Sequence, residues 1–317
     1  MKAVRMHSLG APQQLVYEDA EKPLIEPGDA LVRVVASSIT KDELSWTPTY
    51  KTKDGRPRLP TIPGHEFAGV VEAFAPDVTD VKIGEEVYGL ASFWRNGSAA
   101  EYLAIAASDV APKPKTLNFE QAASVPLAGL TAWQALFDHG KLAAKQRVLI
   151  QGAAGGVGAF AVQLAHWKGA YVIATASGAH TDFLRQLGAD EMIDYEEQKF
   201  EEVARNIDLV LDTVGGDVFE RSRLVLSATG KLVTIVEDIS PEATAAGSRE
   251  VFFIVEPNRS ELIELGRLID AGQLKTTIAE VFPLEQAKKA FEKGLEGHVR
   301  GKIVLRVANQ AKSSAQA

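Results

Sequence analysis

The sequence predicts an α/β protein in two parts, a β-rich, partly barrel-like region followed by a doubly wound parallel sheet. Three observations carry the prediction. Ten of the 14 prolines precede residue 115, which leaves little room there for long helices. From residue 147 onward, continuous apolar strands alternate with helices, the pattern of a parallel sheet covered on both faces. Between the first such strand and its helix lies a glycine-rich turn, Gly152-Ala153-Ala154-Gly155-Gly156-Val157-Gly158.

In the first part the apolar segments are short and β-branched: Leu31 to Val35, Gly69 to Ala73, Glu86 to Leu90 and Glu101 to Ile105. Turn signals separate them, such as Glu26-Pro27-Gly28-Asp29 and Lys82-Ile83-Gly84. The pattern changes near residue 118. Asn118 can cap a helix starting at Phe119, and Ala128 to Asp138 continues in helical composition. Strands are then expected at Arg147 to Gln151, Tyr171 to Ala176, Glu191 to Tyr195, Asp208 to Asp212 and Lys231 to Val236, with helices at Phe160 to Trp167 and Asp182 to Leu187. After Pro257 come an amphipathic helix, Ser260 to Ala271, a second helix, Leu284 to Gly294, and a strand, Lys302 to Val307. The polar tail beyond it is expected to fray.

Composition narrows the function. With 317 residues, 46% hydrophobic and 24% charged, the chain is of ordinary globular make-up and long enough for about two domains. No apolar run reaches the ~18 residues of a membrane span. The start, MKAVRMHSLGAP, lacks the apolar core of a secretory signal, so a cytoplasmic address is expected. A net charge of -8 argues against broad nucleic-acid binding. Cysteine is absent, which removes disulfides, thiol nucleophiles and cysteine-based zinc sites.

The glycine-rich turn is where a dinucleotide belongs. Gly155 lets the backbone approach a pyrophosphate and Gly158 lets the helix pack on the strand, while Ala153 replaces the glycine that usually opens the fingerprint. The helix start at Gly156 and Val157 offers unpaired N–H groups and a positive dipole end. Strand before, helix after and a second strand about 20 residues on raise the turn above an ordinary tight bend. At the end of that second strand an NAD enzyme would place a carboxylate for the ribose 2'-hydroxyl. Here Ala176-Ser177-Gly178-Ala179-His180 carries none, and Ser177 and His180 can donate to a 2'-phosphate instead, which favours NADPH. Both also read as ordinary solvated loop residues.

Ile62-Pro63-Gly64-His65-Glu66-Phe67-Ala68-Gly69-Val70-Val71 resembles the GHE signature of the medium-chain dehydrogenases/reductases. Val78 to Gly89, Leu127 to Trp133, the AAGGVG turn, Leu187-Gly188-Ala189-Asp190, Asp212-Thr213-Val214-Gly215-Gly216 and Gly301-Lys302-Ile303-Val304 continue the likeness over nearly the whole chain. The resemblance is strongest to the zinc-free quinone oxidoreductase (zeta-crystallin-like) branch. It implies a GroES-like catalytic domain over 1–117, a Rossmann NADPH-binding domain over 118–257, a return to the catalytic domain over 258–317, and a homodimer.

Zinc-dependent relatives use an early-loop cysteine and the GHE histidine. Thr40 stands at the cysteine position here, matching neither those enzymes nor the asparagine common in quinone reductases, and no metal is expected. By the same resemblance Thr131 lines the nicotinamide pocket, Val214 belongs to the cofactor loop, and Tyr195 lies near the adenosine 2'-phosphate. His180 stands where many relatives carry lysine, so NADPH affinity is expected to fall above about pH 6.5. Phe252 to Pro257, with Phe253 and Val255, resembles the segment covering the nicotinamide and substrate. It also reads as a buried strand.

Without a Lewis acid, simple alcohol oxidation is disfavoured. Quinones and α,β-unsaturated carbonyls take hydride more readily, because charge spreads onto a conjugated oxygen that needs only one or two donors. Thr40 is the candidate donor, with Asp42, Tyr50 and Trp94 as further pocket residues. The expected function is NADPH-dependent reduction of a quinone or enone, a small-molecule substrate. The alternatives are an enoyl reductase or alcohol dehydrogenase-like relative, and a non-catalytic NADPH-binding sensor. A hydrolase elbow and a Walker loop are both missing.

Overall fold

The computed structural model describes every residue except Ala11, Asp238, 240–247, His298 and 309–317, so the polar tail expected to fray lies outside the described residues. The chain divides into two compact units. The first comprises Met1–Leu127, Glu256–Asp270 and the segment from Thr276 onward; the second comprises Ala128–Val255 and Ala271–Lys275. Residues 118–127 thus cluster with the first unit and 271–275 with the second, against the expected boundaries at 117 and 257.

The first unit is organised by one long strand, Asp29–Ile39, alternately apolar and small over 11 residues. It pairs antiparallel with Glu66–Phe74, with Tyr102–Ala106 and with Lys302–Arg306. Glu66–Phe74 continues the sheet to Glu86–Leu90 and Val110–Pro112. On the far side Lys302–Arg306 pairs in parallel with Ile278–Pro283. Two bulges interrupt the register against Glu66–Phe74, and bulges bend a strand and sharpen its twist. Gly69 sits at one of them, where an added Cβ would fall 2.3 Å from the Arg33 carbonyl, so only glycine fits. A hairpin of Lys2–Met6 and Leu15–Asp19 closes over a core formed by Met6, Leu44, Phe291, Ile303 and Leu305. A second core packs Val32, Phe67, Val87 and Leu103.

The second unit is a six-stranded, all-parallel sheet. In space its strands run Glu191–Asp194, Tyr171–Ala176, Arg147–Ile150, Ile207–Asp212, Leu226–Thr234 and Glu250–Phe252. The spatial order reverses between Arg147–Ile150 and Ile207–Asp212. In open parallel sheets that reversal opens a crevice at the carboxyl ends of the strands, where nucleotides bind.

Most expected elements are present within a few residues of their expected ends, and the exceptions are instructive. Asn118 caps Phe119–Ala123 with a reciprocal box to Gln121. The helical stretch after it is Pro126–Trp133 running into a π-helical turn, Gln134–His139. The strand expected from Lys231 starts at Leu226, because its first residues are polar and partly exposed and carry no apolar signal. The hairpin strands Lys2–Met6 and Leu15–Asp19 and the strand Ile278–Pro283 were not anticipated. Their mixed polarity reflects a position at sheet margins.

Candidate active site

Three glycines of the turn after Arg147–Ile150 play different parts. Gly152 has φ +67°, and a Cβ there would meet the Thr213 hydroxyl at 2.5 Å. Gly158 is required by packing, since its Cβ would sit 2.5 Å from the Gly152 carbonyl and 2.6 Å from the Ala153 Cα. Gly155 differs. Its backbone is extended, with φ -72° and ψ 178°, and an added Cβ would meet only the Gly152 carbonyl, at 3.3 Å. Gly155 is thus less crowded by protein than Gly152 or Gly158.

Gly155 caps the 12-residue helix Gly156–Trp167, whose first amides, those of Gly156, Val157 and Gly158, have no intrahelical acceptor. Ala153 is fully buried and donates its N–H to the Thr175 carbonyl at 3.0 Å, pinning the turn to the next strand. The turn and its dipole fit a pyrophosphate.

Across the sheet reversal, the loop after Ile207–Asp212 is organised by a side chain that sequence reasoning missed. Asp212 is fully buried. Its Oδ1 accepts the N–H of Val214 and of Gly215 at 3.0 Å each, and its Oδ2 accepts the Thr234 hydroxyl at 2.9 Å. Val214 is thereby held half-exposed. The Thr213 hydroxyl donates to the Gln151 carbonyl at 2.9 Å, which ties this loop to the glycine turn.

At the end of Tyr171–Ala176, Ser177 opens a short 3-10 turn, Gly178–His180. The His180 Nδ1 is buried and has no hydrogen-bond partner among the described residues, an orphan that a phosphate oxygen would satisfy. Tyr195 is 53% exposed nearby in sequence order, at the end of the adjoining strand. One expectation is corrected here: a carboxylate does reach this corner. Asp194 comes from the neighbouring strand, its Oδ1 accepts the Glu196 N–H at 3.0 Å, and its Oδ2 occupies the space where a Gly178 Cβ would lie. The strand's own sequence could not reveal it, because the contact is made between strands.

Also in this unit, Thr131 lies buried in Pro126–Trp133. Val255 is buried too, and Phe253 tilts over the His139 ring with centroids 4.4 Å apart.

In the first unit Thr40 follows the long central strand and is half-buried. Its main-chain N–H points to Glu43 Oε2 at 3.4 Å, and its Oγ1 accepts from Lys302 Nζ at 3.4 Å. Beneath it lie three buried ionisable groups that sequence reasoning did not assemble. Glu43 is 1% exposed, Glu66 1% and Lys302 7%. The Lys302 ammonium is 2.5 Å from Glu66 Oε1 and 3.0 Å from the Ile39 carbonyl. Glu66 Oε2 accepts the Leu127 N–H at 3.0 Å, and Glu43 Oε1 accepts that of Gly64 at 3.1 Å. Burial pushes the Glu43 carboxyl up to about 8; Lys302 opposes the shift and Glu66 reinforces it. Glu43 is thus protonated at neutral pH, leaving the Lys302–Glu66 ion pair balanced in the dry interior.

His65 is equally buried but differently placed. Its ring stacks on Trp46, centroids 5.9 Å apart at 17°, and meets Phe93 edge-on at 4.8 Å. Neither ring nitrogen has a hydrogen-bond partner among the described residues. Burial first, and then the Arg58 charge, lower its pKa to about 3, so the ring is neutral. Arg58 donates to the carbonyls of Pro48 and Phe93, fastening the Thr47–Tyr50 turn to the Phe93 loop. Tyr50 packs on the core beside Leu44. Trp94 and Asp42 are exposed, with Lys53 over the Trp94 ring and Lys41 3.9 Å from Asp42. Thr40 and Tyr50 therefore lie on the structured side of this loop region, while Asp42 and Trp94 lie on its solvent side.

Among the described residues no group of three His, Asp or Glu side chains is placed to hold a metal ion.

Comparison with known proteins places these features in a family. Residues 26–115 match the alcohol dehydrogenase GroES-like domain and 187–305 the zinc-binding dehydrogenase domain. A 2-methylene-furan-3-one reductase of Solanum lycopersicum is 34% identical, with 96% of this chain and 79% of that protein aligned. A chloroplastic NADPH-dependent alkenal/one oxidoreductase of Arabidopsis thaliana is also 34% identical, over 89% of this chain and 73% of that one. Among solved structures, the quinone oxidoreductase from Coxiella burnetii superposes with a TM-score of 0.89 at 35% identity, covering 97% of this chain and 99% of that one. The chain belongs to the medium-chain dehydrogenase/reductase superfamily and is a nicotinamide-dependent oxidoreductase.

Proposed function

We propose that this enzyme reduces a quinone or an α,β-unsaturated carbonyl with NADPH and without a metal, as a homodimer. The observation that carries the reading is the hydroxyl of Thr40. It is half-buried, stands by the family resemblance where zinc relatives place a thiolate, and is braced by Glu43 and Lys302. An activated acceptor needs that and little more. When bound, the reduced nicotinamide supplies a hydride, and the acceptor completes its two-electron reduction with one proton from solvent. The protein's own part is to hold, orient and exclude water. Gly155 and the amides of Gly156 and Val157 hold the pyrophosphate, with Ala153 as the buried anchor of the turn. Ser177, His180 and Tyr195 take the 2'-phosphate; Thr131, Val214 and Val255 flank the nicotinamide portion. Thr40 donates to the acceptor oxygen as negative charge develops there. Tyr50 provides apolar surface in the first unit, where Asp42 and Trp94 face solvent, and Phe253 provides apolar surface in the second. The dimer rests on the family resemblance.

The test is NADPH oxidation followed at 340 nm with a panel of quinones and 2-alkenals, repeated with NADH. Turnover that prefers NADPH is expected. Tight NADPH binding with no turnover of any acceptor would instead identify a sensor built on the same fold.

A further inference from the structure

The buried ion pair below Thr40 has a direction built into it. A lysine ammonium carries three protons and no lone pair, so it can only donate. Lys302 Nζ has three oxygen neighbours: Glu66 Oε1 at 2.5 Å, the Ile39 carbonyl at 3.0 Å and Thr40 Oγ1 at 3.4 Å. The first is an ion pair and the other two are hydrogen bonds that the ammonium donates. Thr40 Oγ1 is therefore the acceptor in its contact with Lys302, and the Thr40 hydroxyl proton must point elsewhere. Among the described residues it finds no acceptor, and Thr40 is only half-buried. The Lys302 contact takes up one of the two lone pairs of this hydroxyl and leaves its proton free to donate.

We propose that Lys302 is a positioning residue, which makes Thr40 a dedicated hydrogen-bond donor to the acceptor oxygen while Glu66 fixes the ammonium in place. The proposal rests on the reading of Thr40 given above. Its geometry is well braced. Glu66 is held by the Leu127 N–H, and the Thr40 main chain is held by Glu43, which Gly64 holds in turn. The four side chains come from one strand end, one loop, the GHE segment and the last strand, so no local element sets the arrangement alone. The protonated state of Glu43 supports it, because a second full negative charge would draw the ammonium away from Thr40. The contact also polarises the O–H bond, which strengthens donation to a developing oxyanion. No proton is lost from Thr40 in this role.

The test is a double-mutant cycle, read by kcat, NADPH affinity and melting temperature. K302M is combined with E66Q so that no unpaired charge is left in the interior. T40V is expected to lower kcat about 10- to 100-fold, and T40S to restore it. K302M/E66Q is expected to lower kcat by a similar factor with Thr40 present, but by less than about threefold in the T40V background. NADPH affinity by fluorescence titration is expected to change less than about twofold throughout, because Thr40 and Lys302 are assigned to the acceptor. Losses that multiply in the combined variant, or an unaffected kcat in K302M/E66Q, overturn the positioning role alone. Absence of turnover in the unmutated enzyme with every quinone and alkenal overturns the functional reading, and this role with it. Should K302M/E66Q lack a cooperative melting transition, K302R decides. Its planar fork pairs with Glu66 bidentately and withdraws from Thr40, so kcat falls while the fold persists; an unchanged kcat sinks the proposal.

Discussion

The glycine turn and the buried charge cluster solve opposite problems. At Gly152–Gly158 the proposed cofactor role comes from what is missing: side chains are absent and the first helix amides are left unpaired. Around Thr40, Glu43, Glu66 and Lys302 the proposed role comes from what is enclosed, because ionisable groups are stripped of water and oriented by one another. The first arrangement is preorganised by backbone geometry and fails when anything is added. The second is preorganised by pairing and fails when any member is removed.

The largest expected effect tests the first half of that contrast. Gly155→Asp sets a carboxylate against the pyrophosphate and should weaken NADPH binding at least ~100-fold. Gly155→Ala should lower the melting temperature only slightly, since its backbone is extended and its Cβ meets only the Gly152 carbonyl, at 3.3 Å, yet it should also lower NADPH affinity by filling the cradle. A titration showing unaltered affinity in the Asp variant would remove the turn from the cofactor site.

The second half has a pH signature. The folded Glu43 pKa of about 8 lies above its ordinary 4.5, so the stability it confers is present below pH 4.5 and is lost as pH rises through 8. His65 has the reverse sense. Its folded value of about 3 lies below the ordinary 6.5, so its contribution is present above 6.5 and lost as pH falls toward 3. Between pH 4.5 and 6.5 the two slopes oppose each other. Calorimetry should therefore record a melting temperature that declines by several degrees from pH 6.5 to 8.5, and Glu43→Gln should flatten that decline. An identical slope in the variant would mean that Glu43 is ionised in the native state.

The smallest effect concerns the corner where both strategies meet. Asp194 brings a carboxylate against Gly178, in the same short turn as the orphaned His180 Nδ1. Asp194→Asn should raise the preference for NADPH over NADH about fivefold, the scale of one partly solvated charge. No change in the ratio would show that the carboxylate serves only the turn through Glu196.

How much could be read in advance follows the same division. The turn, its strand and its helix occupy adjacent residues, so Gly155, Gly156 and Val157 and the parallel sheet are legible from spacing alone. Thr40 was legible as a position in a motif, but not its partners. Lys302 meets the Ile39 carbonyl across 263 residues of sequence, and neither periodicity nor composition links such positions. Asp194 escaped for a similar reason, because a strand's own pattern does not disclose what its neighbour contributes; the loop-bracing part of Asp212 is local, with bonds to Val214 and Gly215, and only its Thr234 partner lies on another strand. The polar start of Leu226–Thr234 was hidden by its lack of apolar residues.

The long return of the chain to its first unit has a consequence for synthesis. The counter-charge for Glu66 lies on Lys302, in the last strand described, and the parallel partner of that strand, Ile278–Pro283, is nearly as late. A ribosome therefore releases the whole of Ala128–Val255 before the first unit can close its sheet or neutralise its interior carboxylate. The parallel sheet can mature as an early, self-contained body. The first unit must wait until residue 302 has been made, with Glu66 kept in water until then, and a chain cut short before that residue would lose the closure of its first unit before that of its second.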